Sequence, residues 1–197
     1  MHSYLALGDS YTIGEGVPLS DSFPYQTVQL LRNGGRPFCS PEIIARTGWT
    51  TGELAAAMDN TRLLARYDLV TLLIGVNDQY RGRGADEYGI GFETLLTRAM
   101  GLGERLIVLS IPDWGVSPFA ATGDRDPGRI SQEIDVFNTT ASTITRRHQV
   151  PFIDITAHSR TSTIFVADRL HPDGGTYRFW AQRLAASIIG SSAAAGQ

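Results

Sequence analysis

The chain opens MHSYLALGDSYTIGEG (residues 1–16), in which an apolar segment, residues 4–7, runs straight into Gly8-Asp9-Ser10. Gly8 or Asp9 alone would end a strand in a turn. A small hydroxyl placed where a buried strand emerges asks for more, because open α/β sheets carry their working residues at the carboxyl ends of their strands. That reading requires further buried parallel strands and, at their ends, partners for Ser10.

Other apolar runs supply the strands. Residues 42–45, 68–74, 105–110 and 151–155 read as strands, and LVTLLI (69–74) and LIVLSI (106–111) are continuously apolar, as strands covered on both faces should be. Helical patterns lie between and after them at 25–32, 52–64, 92–100, 130–147 and 177–189. The second opens Thr50-Thr51-Gly52-Glu53, where Thr50 can cap and Glu53 can reach back to it. This alternation predicts βαβ units in a three-layer α/β/α domain with a mainly parallel sheet. Residues 78–91, with their RGRG, and 112–128 lack a clear period; both follow strands, where ligands bind. No repeat or linker divides the chain, so residues 1–190 are expected to form one domain and the small-residue tail, 191–197, to fray.

Composition removes several classes. A chain of 197 residues can bury one full core, and a net charge of -3 gives no reason to expect nucleic acid or an acidic membrane as partner. All 17 basic residues are Arg, which eliminates the P-loop lysine and every Schiff-base lysine. Cys39 is the only cysteine, so no intrachain disulfide forms, and it reads as a small buried hydrophobe. No HExxH or paired Cys/His spacing suggests a metal, and position 19 is Leu where a dinucleotide fingerprint begun at Gly14 needs its third glycine. No metal or cofactor is therefore expected. No serine sits in a G-x-S-x-G elbow. With no basic n-region, no signal-like apolar stretch and no membrane span, the chain reads as cytoplasmic. Nothing sets its oligomeric state.

The strand ends carry a coherent set of groups. The first ends at Ser10, the second at Arg46-Thr47-Gly48, the third at Gly75-Val76-Asn77-Asp78 and the fourth at Pro112-Asp113. Near the C-terminus stands Asp168-Arg169-Leu170-His171. A serine hydroxyl needs a base such as histidine, and the base needs an acceptor to fix its tautomer; Asp168 and His171 can fill those roles within one turn. Asp154 with His158 is the competing acid and imidazole pair, disfavoured by its spacing. His2 and His148 read as structural or solvated.

These four blocks, GDS, the glycine after the second strand, GVND and DRLH, resemble in their order the signature of the SGNH hydrolases, or GDSL-type esterases and lipases, over about residues 4–190. The resemblance implies a flavodoxin-like, five-stranded parallel sheet in the order 2-1-3-4-5. It implies Ser10 as nucleophile forming an acyl-enzyme, His171 as base and Asp168 as its orienting acid. The oxyanion hole would comprise the N–H groups of Ser10 and Gly48 and the side chain of Asn77. Tyr11 stands where the commoner form has Leu. The physical logic agrees: a tetrahedral oxyanion needs donors converging on one point, glycine permits close backbone approach, and an Asn amide donates without a competing charge.

The implied partner is a small-molecule ester. Members of this superfamily include lysophospholipases, thioesterases and carbohydrate acetylesterases. No insertion is long enough for a large lid, which predicts an open site for short acyl chains, acetyl to roughly hexanoyl. Trp114 and Phe119 would wall the acyl pocket or else form a satellite core, with Tyr11, Trp49 and Tyr80 as further substrate-binding candidates. The reading from another class is a flavodoxin-like domain whose 9–16 loop holds a phosphate or flavin.

Overall fold

Residues 4–9 are buried throughout and form the central strand β1 (Tyr4–Asp9) of the computed structural model, which describes residues 1–194. Burial on every side follows from its neighbours: β2 (Glu42–Arg46) and β3 (Leu69–Leu73) flank it, both parallel, with Leu7 opposite Ile44 on one side and Leu72 on the other. β4 (Leu106–Leu109) pairs with β3, and β5 (Phe152–Ile153) with β4, giving the order β2-β1-β3-β4-β5. This is the predicted order.

The helices are α1 (Ser10–Ile13), α2 (Phe23–Asn33), α3 (Thr51–Asp59), α4 (Val76–Tyr80), α5 (Ala85–Leu102), α6 (Pro118–Ala121), α7 (Pro127–Arg147), α8 (Thr156–Ser159) and α9 (Gly174–Ala194). α2 packs on α9, while α5 packs on both α3 and α7. Right-handed crossovers place these two groups on opposite faces of the sheet, because the chain steps outward from β1 in both directions. The reversal lies between β1 and β3, where α/β sheets open a crevice at their carboxyl ends. Thr50 and Glu53 form the expected reciprocal cap on α3.

Several boundaries differ from the sequence reading. α3 stops at Asp59, not at residue 64, because Asn60 and Thr61 turn their side chains back onto the carbonyls of Ala56 and Ala57. α5 begins at Ala85, seven residues before the expected start. Its apolar period is broken there by Gly89 and Gly91, positions used for close helix packing: an added Cβ would come within 3.1 Å of Thr140 Cγ2 and 2.7 Å of Thr51 Oγ1, respectively. β5 has two residues because it lies on the sheet edge and the following N–H of Ile155 is taken by Ser110 Oγ. Residues 112–128 hold a 3-10 turn, Trp114–Val116, and α6. The last helix continues through Ala194, and the remainder of the expected tail, 195–197, lies outside the described residues. Cys39 is exposed, correcting its reading as a buried hydrophobe; it sits after Phe38, the residue that takes the buried position in that turn. No helix among the described residues is long and apolar enough to cross a membrane.

Candidate active site

Ser10 is placed by the way β1 ends. Gly8 lets the strand pass against Thr12 and the carbonyl of Leu73, both of which a Cβ would strike. Asp9 then caps α1, its Oδ1 accepting the Tyr11 N–H at 3.1 Å, and Ser10 becomes the first helical residue. Its N–H is one of the unsatisfied donors that a helix start provides. Asp9 is wholly buried. Burial, with a smaller push from Asp78, overrides the Tyr11 hydrogen bond and raises its carboxyl to about 8.

His171 arrives from the other end of the chain. Its Nε2 lies 2.8 Å from Ser10 Oγ and its Nδ1 lies 2.6 Å from Asp168 Oδ2. Asp168 Oδ1 also accepts the N–H groups of Leu170 and His171, at 2.8 and 2.9 Å. The turn is closed by the Val166 N–H on the His171 carbonyl and the Arg169 N–H on the Val166 carbonyl, which drives Arg169 to a left-handed φ of 63°. Burial raises the Asp168 pKa, but the His171 side chain and the two N–H groups outweigh it and hold the carboxyl below its ordinary range. The Arg169 carbonyl in turn accepts the Phe119 N–H at 3.0 Å.

Gly48 has φ 85°, and the space around it is open, so it is the left-handed backbone that selects glycine there. Its carbonyl is held by Arg81 Nη2 at 2.7 Å, and its N–H has no hydrogen-bond partner among the described residues. Asn77 Nδ2 donates to the Trp49 carbonyl at 2.9 Å and makes only a long, 3.5 Å contact with Asp9 Oδ2. Ser10, Gly48, Asn77 and His171 border one cavity of about 230 Å³. The arrangement can deliver a serine oxygen to a carbonyl carbon, take up its proton, and offer donors to the oxyanion.

Of the aromatic candidates, Tyr11, Tyr80, Trp114 and Phe119 line this cavity. Trp49 does not: its ring packs against the core, and its carbonyl is what meets Asn77. Trp114 is both core and wall, only 3% exposed, with Nε1 donating to Gln79 Oε1 at 2.8 Å and Arg125 over its ring. Thr47, Val76 and Leu170 also line the cavity and went unnoticed as binding residues, although each adjoins a motif residue. Asp154 and His158 do not pair. Asp154 Oδ1 accepts the Thr156 N–H at 2.8 Å, and His158 stacks on Phe179 with ring centroids 3.7 Å apart.

A parallel sheet in this order, with serine, histidine and aspartate aligned at its carboxyl rim, defines the SGNH type of hydrolase. The chain belongs to the GDSL-like lipase/acylhydrolase family, whose model matches residues 6–187. It is a serine carboxylic ester hydrolase. Among solved structures it is similar to a member of the lipolytic protein G-D-S-L family from Veillonella parvula (TM-score 0.73, 18% identity, covering 92% of this chain and 94% of that one). It is similar also to Axe2, an acetylxylan esterase from Geobacillus stearothermophilus (TM-score 0.74, 19% identity, 93% and 92% covered). A third is TesA (TM-score 0.71, 15% identity, 92% and 95% covered). Among curated proteins none matches significantly.

Proposed function

We propose that this enzyme hydrolyses small esters of short-chain acids through an acyl-enzyme on Ser10. The observation that carries the reading is the unbroken contact series from Asp168 through His171 to Ser10, opening into a half-enclosed cavity of about 230 Å³. His171, its Nδ1–H donating to Asp168, takes the serine proton on Nε2 as Ser10 Oγ attacks the ester carbonyl. It returns that proton to the leaving alcohol, then activates the water that releases the acid. The N–H groups of Ser10 and Gly48 and the Asn77 amide receive the oxyanion; one such donor is worth about 3 kcal/mol in the transition state.

The acyl group lies against Tyr11, Trp114 and Phe119. A cavity of this volume, below the usual range of roughly 300–1,000 Å³ for ligand pockets, favours acids of few carbons. The similarity to an acetylxylan esterase is consistent with an acetyl group as one such acid. The test is a panel of p-nitrophenyl esters from acetate to laurate with purified protein, together with a serine-directed phosphonate and mass mapping of the adduct. Activity concentrated at the short end and labelling at Ser10 are expected. Labelling at another serine, or none with an intact fold, overturns the assignment, and a yellow, flavin-bearing protein would favour the flavodoxin-like alternative.

A further inference from the structure

We infer that Tyr11 sets the acyl-chain limit of the site, acting as a partition between the ester cavity and a second, smaller space beside it. The inference rests on the proposed use of the first cavity as an acyl pocket. Tyr11, Trp114 and Leu170 border both spaces. The second one holds only about 10 Å³, roughly one water-sized sphere, and is bounded further by Pro112, Phe165 and Trp180.

The lining of that second space suits alkyl carbon. Its carboxylate and serine hydroxyls are already engaged, Ser162 Oγ with Thr176 Oγ1 at 2.9 Å. Asp113 accepts the Gly115 N–H on Oδ1 and Arg160 Nε on Oδ2, both at 2.8 Å. Ser159 Oγ donates to the Thr156 carbonyl and accepts the Asp113 N–H. What remains is ring and aliphatic surface, with Trp180 Nε1 as the one buried group there lacking a partner among the described residues.

The three dividing side chains are not held alike. Trp114 is fixed by Gln79 and Arg125. Leu170 belongs to the hydrogen-bonded turn that carries His171. Tyr11 is held by ring packing: its centroid is 4.9 Å from that of His171 and 6.3 Å from that of Trp180, and its hydroxyl has no hydrogen-bond partner among the described residues. It is 2% exposed, so the ring itself, and no hydrogen bond of its side chain, fills the divide. Shortening it removes the divider while breaking no hydrogen bond made by a side chain. The two spaces then join, extending the ester cavity toward Phe165 and Trp180.

The experiment compares wild type, Tyr11→Phe, Tyr11→Leu and Tyr11→Ala on p-nitrophenyl acetate and p-nitrophenyl octanoate, reading the octanoate to acetate ratio of kcat/KM. Each added methylene that finds a wall is worth about fourfold. Two or more therefore raise the ratio at least tenfold in Tyr11→Ala, with a smaller rise in Tyr11→Leu and none in Tyr11→Phe. Because the ring touches His171, all variants are free to lose activity; the ratio cancels that loss. A melting curve establishes folding, and if Tyr11→Ala fails to fold, Tyr11→Leu decides. An unchanged ratio in a folded Tyr11→Ala or, failing that, Tyr11→Leu overturns the inference. Wild-type protein that hydrolyses neither ester overturns the parent reading instead.

Discussion

Asp168 grips His171 at two points, its Oδ1 on the backbone N–H at 2.9 Å and its Oδ2 on the imidazole Nδ1 at 2.6 Å. One carboxylate thus shapes the turn and orients the ring. Asp168→Asn keeps an acceptor for the backbone but can offer an N–H to Nδ1, favouring the tautomer whose Nε2 cannot take the Ser10 proton. In a buried triad that change costs about 10⁴ in kcat. The Asp168 side chain is 40% exposed, so water shares its task and a loss on the order of 10³ is expected. Steady-state kinetics on p-nitrophenyl acetate, with KM nearly unchanged, checks it.

Ser10→Ala and His171→Ala should each abolish turnover while the thermal midpoint stays near that of wild type, since both sit at the rim. The double variant should be no worse than either single one, because residues acting as a unit are not additive. Fully additive losses would show that the two act separately.

Asn77→Ala should lower kcat by roughly 10² to 10³ and leave KM within a few-fold, because the oxyanion exists only along the reaction path. A change confined to KM would make Asn77 a substrate-binding residue.

Asp9 gives a pH-dependent stability. Its folded carboxyl, pushed up to about 8 from an ordinary 3.8, is protonated where the unfolded chain is ionised. Its contribution to stability is therefore fully present below about pH 4 and is lost as pH rises to about 8. Asp9→Asn, which retains the cap on α1, should match wild type near pH 4 and become progressively the more stable protein up to pH 8. Denaturant midpoints of both proteins across that range test it; a constant difference would place the ionisation elsewhere.

Trp114→Phe should cost about 1–3 kcal/mol, since Gln79 Oε1 loses the buried N–H that satisfies it. The acyl preference should move less than in Tyr11→Ala. Urea melts and the ester panel measure the two effects separately.

The sheet and the four strand-end groups were legible in the sequence because each rests on local signals: an apolar run, then a glycine or polar residue at its end. The pairing of Asp168 with His171 was legible for the same reason, being contained in one turn. Trp49 could be marked but not placed, since an aromatic beside Gly48 gives no sign of which way its ring points, and the structure packs it against the core outside the cavity. The start of α5 was hidden by glycines whose purpose lies in Thr51 and Thr140, residues distant in sequence. Tyr11 could be marked as a candidate, but its contact with Trp180 belongs to tertiary structure.

The proposed nucleophile, Ser10, leaves the first strand, and the proposed base, His171, lies 161 positions later. During synthesis Ser10 therefore emerges first, with Gly48 and Asn77 following, while the imidazole that meets its hydroxyl is made after all three. A nascent polypeptide that has not yet reached Asp168 and His171 has, on the proposed reading, a serine without its base. On the proposed reading, activity begins only once residues 168–171 have been made and have folded against Ser10.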